Sequence, residues 1–61
     1  MKKRYALKLH NGDEVIVKKT GCHLYVIKAF PSETEKNGKI VVNCVHILLS
    51  DGNWYRHKQV A

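Results

Sequence analysis

The sequence predicts an all-β domain, built as a five-stranded antiparallel small barrel or a strongly bent meander sheet. Three observations predict it. Apolar and polar residues alternate with a period of two in several segments, valine and isoleucine are dense, and turn signals bearing Gly or Pro recur at short intervals. A chain of 61 residues buries about 60% of the surface its unfolded form exposes, so residues 1–61 make one domain with one small core.

Tyr5, Leu7 and Leu9 alternate with Ala6, Lys8 and His10. This pattern predicts a first strand over 5–10, stopped by Asn11-Gly12, a dipeptide suited to the positive-φ positions of a tight turn. After Asp13 the alternation resumes as Glu14-Val15-Ile16-Val17-Lys18, so 5–18 reads as a hairpin. Lys19-Thr20-Gly21 breaks the chain, and 22–30 follows as a third strand with apolar side chains on both faces. The segment from Pro31 to Gly38 is polar, opens with proline and closes with Asn-Gly, which predicts a surface loop. Ser32 and Glu35 there have capping-box spacing, enough for one helical turn at most.

Residues 39–49 hold eight apolar side chains in eleven and form the longest, central strand. Ser50-Asp51-Gly52 turns the chain again, and 53–60 completes a fifth strand. The expected core is Leu7, Leu9, Val15, Val17, Leu24, Val26, Ile40, Val42, Val45, Ile47 and Leu49.

Five short strands must protect their sheet edges, and in so small a chain the economical solution is a meander that closes on itself as an SH3-like barrel. The rival is an open sheet. It would leave an apolar face to be covered by another chain, using Val41, Val45, Ile47 and Leu49 or the complementary set Ile40, Val42, Cys44 and Leu48. A homodimer or another protein partner is the expectation in that case.

The layout Gly12-Asp13-Glu14-Val15-Ile16-Val17-Lys18, then Leu24-Tyr25-Val26, then a long strand followed by Asp51-Gly52-Asn53-Trp54, resembles the small uncharacterised bacterial and phage-type proteins of SH3-like barrel fold. The resemblance covers most of the chain and implies the barrel, but its motifs are turns and valine-rich strands that carry over no activity. Leu7-Lys8-Leu9-His10-Asn11-Gly12 is also similar to the opening of Sm-like RNA-binding proteins. That similarity stops before the fourth strand, where the Asp-containing loop and Met-Asn pair of those proteins are missing and Asn43 alone corresponds.

Eleven Lys and Arg stand against five Asp and Glu, a net charge of +6 that favours polyanionic partners, nucleic acid first among them. The chain is short for an enzyme, because a deep substrate cleft would empty its core, so no catalytic activity or cofactor is expected. Lys2-Lys3-Arg4 is not followed by the apolar stretch of a signal peptide, and Ile40 to Leu49 is too short to span a bilayer. A cytoplasmic protein without a membrane role is expected, and there Cys22 and Cys44 are thiols.

Cys22, His23, Cys44 and His46 are the residues with metal-binding chemistry. Cys44 and His46 share a strand face, whereas the adjacent Cys22 and His23 point to opposite faces, so three of four at most would converge. Buried thiols and ordinary histidines are the preferred reading over a zinc site, a disulfide or a nucleophile.

The terminal strand carries the binding candidates. Trp54 or Tyr55 would supply a stacking platform, and Lys18, Lys19, Arg56 and Lys58 the phosphate contacts. Strand parity allows two arrangements: Trp54 inward as the core's anchor, which a single-Trp domain favours, or Tyr55 and His57 inward with Trp54, Arg56 and Lys58 outside.

Overall fold

The structure, a computed structural model, describes all of residues 1–61. It is all-β, with 54% of residues in strands and the 11% in helix confined to two single turns. In chain order these are α1 (Lys3–Ala6), β1 (Glu14–Ile16), β2 (His23–Lys36), β3 (Lys39–Leu49), β4 (Trp54–Arg56) and a 3₁₀ turn over His57–Gln59. The four strands form one antiparallel sheet in the order β1-β2-β3-β4, curled into a half-barrel.

Four strands stand where five were expected, because 5–10 is not a strand. Its first part is the helical turn α1, which buries Ala6 completely and leaves Tyr5 and Leu7 largely exposed. Ala6 and Leu9, three residues apart, turn to one side, and Leu9 packs on the core with Met1. The physical reason lies at the other end of the chain. The edge of β1 that a strand over 5–10 would have occupied is taken by residues 59–61: Lys18 donates its backbone N–H to Gln59, Ile16 and Ala61 exchange backbone hydrogen bonds, and Val17 bridges Val60. The Met1 ammonium reinforces this closure by donating to the carbonyls of His57, at 3.0 Å, and Val60. The Asn11-Gly12 turn does form, with Gly12 at φ 94°, but its main-chain partner is Val26 of β2.

The expected loop over 31–38 is also corrected. β2 runs on through Lys36, and the chain reverses at Asn37 and Gly38, both at positive φ (53° and 76°), between the paired Lys36 and Lys39. Asn-Gly is thus the two-residue turn of a long hairpin rather than the end of a loop. Pro31 is tolerated because β1 pairs only with Tyr25, Leu24 and His23, leaving the rest of β2 as a sheet edge. β4 likewise pairs only with His46, Ile47 and Leu48. Beyond both, β2 and β3 project as a two-stranded arm, which makes the molecule elongated at 39 × 21 × 17 Å.

The core is Ala6, Val15, Val17, Val26, Val45, Ile47, Leu49 and Val60. Of the expected core, Leu9, Leu24 and Val42 are partly buried against it, whereas Leu7 at 46% and Ile40 at 72% exposure lie outside. Ile40 is out because it sits on the arm, where no second layer covers it.

The predicted fifth strand ends early, at Arg56, and His57 takes over its role. Val45 N–H, which points towards β4, donates to Nδ1 of the buried His57 imidazole at 3.2 Å. The ring is therefore neutral with its proton on Nε2. Burial, then the charges of Lys58, Lys3 and the Met1 ammonium, hold its pKa below the ordinary histidine value. The unfolded chain consequently binds this proton at a higher pH than the folded one, so stability is full above about pH 6.5 and declines as pH falls below it towards the lower folded value. Chemical denaturation across that window should show a steeper decline for the wild type than for His57→Gln, which keeps an acceptor but cannot ionise; parallel curves would dismiss His57 as the cause.

No helix of the structure is long and apolar enough to cross a membrane.

Candidate functional site

Side chains on a strand alternate between faces, so the inward Val45, Ile47 and Leu49 of β3 leave Cys44, His46 and Leu48 on the outer face. A bulge governs what joins them from β2. Val26 pairs with Leu49 and Lys28 with Leu48, so Ile27 is an extra residue that reverses the parity of everything after it. Without it Lys28 and Phe30 would follow Val26 into the core. With it Ala29 faces inward and Lys28 and Phe30 face out.

On β4 the register places Trp54 beside Leu48 and Arg56 beside His46. Tyr55 and His57 are the inward residues, so Trp54 is half exposed, at 50%, and is not the core's anchor. The favoured expectation for Trp54 is thereby corrected: the core is filled by small and aliphatic side chains, and Tyr55 supplies the aromatic that packs against it.

Phe30 and Trp54 reach across β3 from its two neighbours. Their ring centroids are 5.9 Å apart with an interplanar angle of 29°, a stacked pair above the half-buried His46 and Leu48. Lys28 Nζ lies 5.5 Å from the Phe30 centroid and 6.0 Å from that of Trp54, a cation shared by both rings. Arg56, on the same face, lies two residues further along β4. The result is an exposed aromatic pair with cations close by. Such a surface can receive another planar π system on its free side while the cations attract an attached anion.

The sequence-predicted site residues do not gather in one place. Trp54 and Arg56 are on the outer face, but Tyr55 points the other way and donates its hydroxyl to Asp51 Oδ2 at 2.6 Å. That hydrogen bond, chiefly, holds the Asp51 carboxyl below and the Tyr55 phenol above their ordinary pKa values. Tyr55 joins Lys18 and Lys19 instead, in an open recess of about 580 Å³ that Val17, Thr20 and Gln59 complete. Arg56 also borders a smaller recess of about 160 Å³ with Lys58, Asn43, Cys44 and His57.

Lys28 and Phe30 were missed by sequence reasoning. The visible signal was their spacing of two in a strand already carrying apolar residues on both faces, but the bulge that turns them outward has no signature in the local sequence.

The structure's two ion pairs both use histidine, His10 with Asp13 at 3.9 Å and His23 with Glu14 at 3.6 Å. None of the eleven Lys and Arg is within ion-pairing distance of a carboxylate, so the positive charge is not neutralised internally. Cys22 is exposed rather than buried and Cys44 is half-buried. Neither belongs to a cluster of three His, Cys, Asp or Glu with metal-binding geometry.

Comparison with protein-family models, curated proteins and solved structures finds no match to this chain.

Proposed function

We propose that this is a small nucleic-acid-binding module that takes single strands on the outer face of its sheet. The observation that carries the reading is the stacked, exposed Phe30–Trp54 pair with Lys28 over both rings. A base in a duplex is already stacked on both sides, whereas a base in a single strand has a free π face for this surface. Arg56 and Lys28 are placed for the adjoining phosphates, and the unpaired cations elsewhere add long-range attraction. The half-barrel curl and the Gly12-Asp13 turn ahead of a valine-bearing strand support grouping the module with SH3-like barrels.

Trp54 is the sole tryptophan, so its fluorescence reports on the site directly. Titration with a single-stranded oligonucleotide should quench it and should bind more tightly than the matching duplex. The logarithm of affinity should fall against the logarithm of salt with a slope near −0.7 for each phosphate contact. Absence of binding to either form at ~50 mM salt, where electrostatic attraction is strong, would overturn the proposal. That result would favour the second reading, a protein-interaction module or homodimer, which rests on the exposed Ile40 and Val41 of the arm.

A further inference from the structure

We infer that the recess bounded by Lys18, Lys19, Thr20, Tyr55 and Gln59 is a separate anion site that binds a phosphate-class dianion. It is separate because Trp54 and Tyr55 are consecutive on β4 and project to opposite faces, which puts this recess on the other side of the strand from the aromatic surface. The inference therefore stands on its own residues and does not depend on the nucleic-acid reading.

Two of its lining residues, Lys18 and Lys19, are cations with no carboxylate partner. The neutral polar groups are left with donors to offer. Gln59 Oε1 accepts the Arg56 backbone N–H at 2.9 Å, so its amide NH₂ remains to donate. Thr20 Oγ1 accepts the Cys22 N–H at 3.3 Å, leaving its hydroxyl proton. The backbone N–H groups of Lys19 and Thr20 donate to no other main-chain or side-chain group. Asp51, the acid bonded to Tyr55 of the recess, already accepts from the Tyr55 hydroxyl and from Asn53 N–H and Nδ2.

The loop that presents these donors is held in place. Gly21 N–H closes a turn onto the Val17 carbonyl at 2.7 Å, with Gly21 at φ 73°, and Lys18 N–H is tied to the Gln59 carbonyl at 2.9 Å. Successive free amides in a turn, with two cations and a primary amide among the lining residues, suit the several acceptor oxygens of a phosphate.

The test is a titration of the isotope-labelled protein with inorganic phosphate at constant ionic strength, followed by NMR. Saturable shifts confined to the Lys19 and Thr20 amides and the Gln59 side chain are expected, in the millimolar range. The Lys18→Ala, Lys19→Ala double variant, whose exposed side chains carry no core packing, should keep its dispersed spectrum and lose affinity about tenfold or more, the effect of one or more charge-assisted hydrogen bonds. Shifts that never saturate, or that are unchanged in the double variant, would overturn the site. The Phe30→Ala, Trp54→Ala variant should bind phosphate normally, so failure of the aromatic surface and failure of this recess are told apart. Two further arms identify the source of the phosphate. Tighter binding of a single-stranded oligonucleotide bearing a terminal phosphate than of one without it would support the site as the holder of a strand end; equal binding alongside saturable inorganic phosphate would support it as a site for free phosphate.

Discussion

Removing both rings of the outer surface, Phe30→Ala with Trp54→Ala, should weaken binding of a single-stranded oligonucleotide by about fivefold to over a hundredfold and leave the fold in place. The range follows from ~1–3 kcal/mol for each base stacked on an aromatic side chain. Fluorescence anisotropy of a labelled oligonucleotide would measure it, since the variant has no tryptophan. Both rings are about half exposed and lie outside the core, so the cost in stability is mainly that of their mutual contact, ~0.5–1.5 kcal/mol, plus some packing on Leu48. Lys28→Ala and Arg56→Ala should behave differently, each shallowing the salt dependence by about one phosphate contact. Equal affinity of the double aromatic variant and the wild type would show that bases are not stacked there.

The largest effect on stability should come from Ile47→Ala. Ile47 is fully buried on β3 between Ala29 of β2 and Tyr55 of β4, in the core that Ala6 of α1 and Val60 help to close. Truncating such a residue costs ~2–5 kcal/mol in lost burial and residual cavity. At ~0.05–0.15 kcal/mol per residue, a chain of 61 residues has about 3–9 kcal/mol in all, so the variant should be largely unfolded or close to it. Thermal or urea unfolding followed by circular dichroism would show this as a lost or strongly lowered transition. Ile40→Ala on the arm is the matched control and should cost under about 1 kcal/mol, because that side chain is mostly in water already. Similar losses at the two positions would mean that the core is not where the structure puts it.

The contrast between these two isoleucines shows how far pattern alone reaches. Both lie in one apolar-rich strand and are assigned by pattern to the same core. What separates them is seven residues along β3, enough to carry the strand out of the reach of β4 and onto the arm. A period of two says which residues share a face, but not how far neighbouring strands extend along it.

The same limit explains the first and last segments. Alternation over 5–10 is compatible with a strand, and the chain would use it if an edge were free. Residues 59–61 take that edge, a pairing between positions more than forty residues apart that no local pattern reports. The Asn-Gly pair at 37 and 38 was a hairpin signal in its own right. It was outweighed by the polar run and Pro31 before it, both of which an edge strand accepts.

The sequence by itself determined the all-β class, the β3 boundaries, the turn at 11–12 and the inward set Val15, Val17, Val26, Val45, Ile47 and Leu49, because these follow from local propensity and from alternation. It also determined the excess positive charge. Only the tertiary structure decided what surrounds that charge and which aromatics meet. The extra residue at Ile27 turns Lys28 and Phe30 outward, the closing of β1 by residues 59–61 releases 5–10 into a helical turn, and Tyr55, by facing inward, leaves Trp54 to stack on Phe30. Each of these is set by a hydrogen-bond register or a contact between distant segments, where one residue of slip exchanges the buried face for the exposed one.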